Sequence, residues 1–227
     1  MTEGLLLAAI VIPCLVIAIV FHEVAHGWTA LALGDPTAKE RNRLSFNPIR
    51  HVDPIGTLVV PGALWLFGGP IFGWAKPVPV IKQRLKNPRY GMMAVAAAGP
   101  GMNLLLALVG AILIGLIAPS VSPENFASPG ILVEGLFYFL LINLFLAFFN
   151  LLPMPPFDGG HIVEGLLPRS LAKYWGQFQQ VGMFLLVALI AASWAFPQWN
   201  IIGNTIGPPV EWALEKYLSI AAAVAGG

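Results

Sequence analysis

The sequence predicts an all-α polytopic membrane protein, and three observations predict it. Of its 227 residues, 57% are hydrophobic and 10% charged, against the roughly 25% charged of soluble domains. Four stretches are free or nearly free of charge, and each can cross a hydrocarbon layer about 30 Å thick at 1.5 Å per residue. Nine of the twelve basic residues gather in two loops. Together these imply one integral membrane domain over residues 1–227. A net charge of +1 gives no reason to expect a nucleic-acid partner, and the single cysteine, Cys14, sits within the first apolar run.

The first span covers about residues 4–33. Its start, MTEGLLLAAIVIPCL, lacks the basic n-region and small-residue cleavage site of a secretory signal, so it is expected to remain in the membrane. The next apolar stretch, about residues 54–75, has spanning length but is broken by Pro54, Pro61, Gly62, Gly68, Gly69 and Pro70, which disfavours a straight helix. Lys39, Arg41, Arg43 and Arg50 precede it, and Lys76, Lys82, Arg84, Lys86 and Arg89 follow it. Basic loops stay in the cytoplasm, so this stretch is expected to be re-entrant, dipping in and returning. Irregular backbone at such depth must be satisfied by protein or by a water-filled cavity.

Spans over about residues 91–121, 131–152 and 174–196 then lead outward, inward and outward again. The loop Ser120–Glu134 has acids but no Lys or Arg, as an outer loop should. A C-terminal helix over about residues 208–225 suits either a surface-lying amphipathic segment or a short last span.

Within the first span the run LVIAIVFHEVAHGWTALAL (15–33) holds His22, Glu23 and His26 where ionisable groups are costly and therefore functional by default. Two histidines four apart stack on one helix face and can reach one ion, while the intervening glutamate is rotated about 100° away. That spacing suits zinc, with Glu23 free to act on a water. A catalytic zinc site needs a third protein ligand. Asp158, in FNLLPMPPFDGGH, follows Pro153, Pro155 and Pro156, which stop the helix, and its carboxylate can turn back toward a neighbour. As a plain alternative it could cap the segment beginning near His161. His22 and His26 lie about 12 to 18 Å below the cytoplasmic surface by helix rise, and Asp158 enters from the same side. Other polar residues have structural readings: His51 and Asp53 beside a proline turn, His161 as an orienting or packing residue, and Trp65, Trp74, Trp194 and Trp199 as interfacial anchors.

At this point the chain resembles the site-2 protease family of intramembrane zinc metalloproteases. The resemblance rests on FHEVAHGW, HVDPIGTLVVPG followed by GWAKPVPV, AAAGPGMNLLLA and NLLPMPPFDGG, in family order over about residues 17–165. It implies His22, His26 and Asp158 as ligands to one Zn²⁺ per chain and Glu23 as general base. It also implies Asn150 and Asn103 as polar groups orienting substrate near the metal, although both would serve equally well in hydrogen bonds between packed helices. Phe157 departs from the family's usual leucine, and no PDZ-like insertion is present. The resemblance implies a three-helix catalytic core, the re-entrant segment beside it, and one or two C-terminal helices. The partners implied are transmembrane protein or peptide substrates within the lipid bilayer, with the active site nearer the cytoplasmic side. Residues near GTLVVPGAL are expected to hold an unwound substrate by edge pairing. A rival third ligand would be Glu134 or Glu164. A rival function is an inactive or metal-binding relative that uses the same ligands.

Overall fold

The computed structural model describes residues 2–68, 73–117 and 130–226, and among these no strand occurs. Helix α1 (Thr2–Ala32) is 31 residues long, with Pro13 inside it. It ends where Gly34 takes a positive φ of 107°, a conformation that costs glycine nothing. A short α2 (Thr37–Glu40) follows. Asp35, fully buried, accepts hydrogen bonds from the Thr37 amide and hydroxyl and from the Ile81 amide at 2.6 Å. Burial alone would raise its pKa, but these donors and the nearby Arg84 hold it below the usual carboxylate range. One side chain thus ties the end of α1 to a segment 46 residues later.

The stretch expected to be re-entrant begins as helix, with a π-helical turn at Pro54–Val59 and then α3 (Val60–Leu66). Asp53 caps it by accepting from the amides of Ile55 and Gly56. The return limb is extended and runs back beside the start. The Trp74 amide donates to the Gly56 carbonyl at 3.1 Å, and the Lys76 amide to the His51 carbonyl at 2.9 Å. The two limbs of the stretch therefore lie side by side. Edge pairing by GTLVVPGAL does not fit this structure, because the segment is helical and presents no strand edge. Residues 69–72, inside the expected re-entrant range, lie outside the described residues, as do residues 118–121 at the end of the second predicted span.

Helices α4 (Pro88–Ile117) and α5 (Gly130–Asn150) complete a three-helix core with α1. Among the described residues three single helices, α1 from Gly4 together with α4 and α5, are long and apolar enough to cross a membrane. Small residues on α4, among them Ala96, Gly99, Ala107 and Ala111, are buried and allow close helix approach where lipid offers little hydrophobic drive for packing. At the centre, Asn103 on α4 donates to the Ala18 carbonyl on α1 at 3.2 Å and to the Asn143 side-chain oxygen on α5 at 2.9 Å. Both asparagines are completely buried.

The expected span over 174–196 falls on a bent pair of helices that together have the length and apolar composition of one broken span. These are α7 (Arg169–Gln180) and α8 (Gly182–Ala195), bent by 60° at Val181. Gln177, Gln179 and Gln180 carry no charge but end the apolar run, and Gly182 fits tightly against Pro155. Upstream, α6 (Asp158–Leu166) is pinned by Arg89, which donates to the carbonyls of Gly165 and Leu167. The C-terminal helix α9 (Ile201–Val224) starts before the expected residue 208 and continues through Pro208 and Pro209. It packs on α4 and α5 through Ile206, Val210, Ala213 and Ala221.

Candidate metal centre

His22 and His26 project from one face of α1, and Asp158 is the first residue of α6, where the prolines of residues 153–156 bring the chain back toward α1. The three ligand atoms converge. His22 Nε2 and His26 Nε2 are 3.0 Å apart and lie 3.2 and 3.4 Å from Asp158 Oδ2. For comparison, a tetrahedral zinc ion with ligands at about 2.0–2.1 Å sets ligand atoms roughly 3.3 Å apart.

The proton bookkeeping explains why such a cluster needs a cation. His22 Nδ1 faces Asn103 Oδ1 at 2.6 Å, and His26 Nδ1 faces the Val95 carbonyl at 2.7 Å. Both partners are acceptors, since the Asn103 amide nitrogen is already spent on Ala18 and Asn143. Each Nδ1 therefore donates, and each Nε2 turns a bare lone pair inward. Asp158 Oδ2 is buried with no hydrogen-bond partner among the described residues. Three electron pairs aimed at one point repel one another unless a cation lies between them. Outer partners that fix the histidine tautomer and aim are a regular feature of metal sites. A Cβ on Gly99 would come within 2.5 Å of the His26 ring, so only glycine lets α4 approach the imidazoles.

Glu23 stands beside this cluster. Its Oε2 accepts from the Val78 amide at 2.7 Å, on the extended return limb of the hairpin. Oε1 takes no hydrogen bond from the described residues. Arg43, only 8% exposed, donates to the Lys76 carbonyl at 2.6 Å and holds the same limb. Glu23, the three ligands, Asn150 and Trp74 all border one cavity of about 480 Å³. Trp74 thus lines the cavity and is not simply an anchor.

Asn103 is placed differently from the expectation. It does not border the cavity but supports His22 from behind, completely buried. Asn150, at the end of α5, does border the cavity; one of its amide hydrogens bonds the Leu146 carbonyl at 2.9 Å. His51 bonds the Ser45 carbonyl, and Asp53 caps a helix, both structural. His161 lines the cavity but turns Nδ1 toward Glu164 at 3.5 Å and Gln179 at 3.3 Å. Glu164 is itself paired with Lys82, so it is not available as a third ligand. Asn143 was missed by sequence reading, although an amide inside the apolar LLINLFL run was the available signal. The contributions of the Val78 amide and the Val95 carbonyl are backbone and leave no signal.

A family model for peptidase family M50 matches residues 10–192. The chain belongs to peptidase family M50. Relatives within it include YwhC of Bacillus subtilis (strain 168), 38% identical over 176 residues and covering 77% of each chain. Rip2 of Mycolicibacterium smegmatis is 28% identical over 196 residues, 84% of this chain and 69% of its own. Rip3 of Mycobacterium tuberculosis (strain H37Rv) is 34% identical over 115 residues, 50% of this chain and 25% of its own. All three carry the name "putative zinc metalloprotease". No solved structure matches the chain. M50 membership agrees with the zinc-type geometry, and the spanning helices make this an integral membrane metallopeptidase.

Replacing Asn103 by leucine is expected to weaken zinc binding about 10- to 100-fold, the usual cost of losing an outer partner. Titration against a chelator measures it. Unchanged affinity would mean that His22 needs no support from α4.

Proposed function

We propose that this M50 protein is an intramembrane metalloprotease, hydrolysing peptide bonds within or near the transmembrane segments of membrane protein substrates, as in regulated intramembrane proteolysis. The observation that carries this reading is the placement of Glu23 in one cavity with His22, His26 and Asp158, inside a bundle of apolar helices. The basic loops at the same end of the bundle favour an active site nearer the cytoplasmic side.

His22, His26 and Asp158 would hold one zinc ion, which when bound supplies Lewis acidity and an activated water. Glu23 Oε1 is placed to receive a proton from water, while the Val78 amide holds Oε2 and fixes the carboxylate's direction. The same carboxyl then passes the proton to the departing amine, so that the base of one step is the acid of the next. The second amide hydrogen of Asn150 is available to a substrate carbonyl oxygen at the cavity wall. A substrate helix hides its carbonyls in internal hydrogen bonds and must be unwound locally before attack; the 480 Å³ cavity has room for a short extended stretch.

The reading is tested with zinc-loaded protein in lipid vesicles, given single-span peptides and water-soluble peptides of matched flanking sequence. Mass spectrometry should find new termini within or at the edge of the span. Cleavage confined to the soluble peptides would remove the intramembrane part of the proposal.

A further inference from the structure

Helix α9 has its polarity reversed for its position. The Tyr217 hydroxyl donates to the Leu104 carbonyl at 3.2 Å, and a Cβ on Gly115 would overlap Ala221 and Val224. These contact points advance together along both helices, so α9 runs parallel to α4, beside two helices of spanning composition. Its apolar side, with Ile206, Val210, Ala213 and Ala221, is buried against them. The opposite side exposes Glu211, Trp212, Glu215, Lys216 and Ser219.

These charges are central in the helix and do not fray from an end. Ten residues, Ile201–Val210, precede Glu211, and eight, Tyr217–Val224, follow Lys216. By helix rise Glu215 lies about 9 Å, and Glu211 about 15 Å, back from the level where Ala221 meets Gly115. None of the three makes a salt bridge among the described residues. Ionisable side chains at such depth are costly when they face lipid and normally pair or face protein.

We propose that α9 crosses the bilayer and that its polar face is closed by the same face of a second copy of this chain. Copies in one membrane share an orientation, so a two-fold axis relating them lies along the membrane normal. Parallel helices then meet at equal depth. Glu215 and Lys216 are adjacent in sequence and differ in height by only about 1.5 Å, and both point outward. Glu215 therefore meets Lys216 of the partner subunit, and the reciprocal pair forms across the axis. Ser219 and Ala223, a turn and two turns further on, allow the backbones to approach. The proposal does not depend on the catalytic reading.

The test uses full-length, zinc-loaded protein in phosphatidylcholine nanodiscs and vesicles, with the dimer fraction read by energy transfer between labelled copies. Glu215→Lys alone, or Lys216→Glu alone, sets like charges opposite each other and should lower the dimer fraction roughly tenfold or more. Mixing the two single variants should restore it, because each then carries the charges the other lacks. Recovery on mixing also shows that both variants are folded, and retained zinc checks this independently. In a Cys14→Ala background, Ser219→Cys should form a disulfide-linked dimer on mild oxidation. A monomer at every protein-to-lipid ratio, or a dimer indifferent to both reversals, would overturn the proposal and leave this face to lipid or water.

Discussion

Replacing Glu23 by glutamine is expected to lower peptide cleavage by about 10²- to 10⁴-fold, the usual worth of a positioned acid or base, while zinc content stays unchanged. The amide is a close match in shape, and its carbonyl oxygen can still accept from the Val78 amide, so the hairpin's return limb keeps its anchor. What disappears is a group able to take a proton from water. Metal analysis and cleavage rates on the same preparation separate the two effects. A variant that retains both zinc and full activity would refute the assignment of Glu23 as base. A wild-type protein that binds zinc but cleaves no peptide would favour the rival reading of a metal-binding relative.

The second large effect is expected at Asp158. Changing it to alanine should empty the zinc site, a loss well beyond the 10- to 100-fold that removal of an outer partner brings, and cleavage should fall with it. The remaining His22 and His26 offer two lone pairs on one helix face, too few for a catalytic zinc site. As an acid in the first turn of α6, Asp158 also favours the helix dipole, but only by about 0.3–1 kcal/mol, so the fold should survive. Helical content by circular dichroism and zinc content after dialysis give the two readouts. Zinc retained in a folded Asp158→Ala protein would require another third ligand. The Lys82 pairing already argues against Glu164, and the cluster among the described residues contains only His22, His26 and Asp158.

The local part of the site was legible because helix periodicity turns sequence spacing directly into geometry. His22 and His26 share a face because they are four apart, and Glu23 does not because it is one away. Asp158 was expected from chemistry combined with predicted topology, and the structure brings its carboxylate beside the two imidazoles. Asn103 shows the limit of such reading. Sequence marks it as a polar residue in an apolar helix, equally suited to substrate or to packing. Only the approach of α4 to α1 places its oxygen on His22 Nδ1, across a separation of 81 residues. The break at Val181 was hidden for a different reason: glutamines interrupt an apolar run without adding charge, and charge placement was the guide to the spans.

By itself the sequence determined the membrane class and set His22 and His26 on one helix face with Glu23 off it, because composition and short-range spacing act through the bilayer and the helix alone. Tertiary structure decided how the pieces face one another: which asparagine supports a histidine, which backbone amide holds Glu23, that α3 is helical, and that α9 turns its charges away from the bundle. Those outcomes depend on contacts between segments far apart in the chain, where several packings satisfy the same local pattern. The choice among them rests on close approaches, such as Gly99 against the imidazoles and Gly115 against α9, that no local spacing encodes.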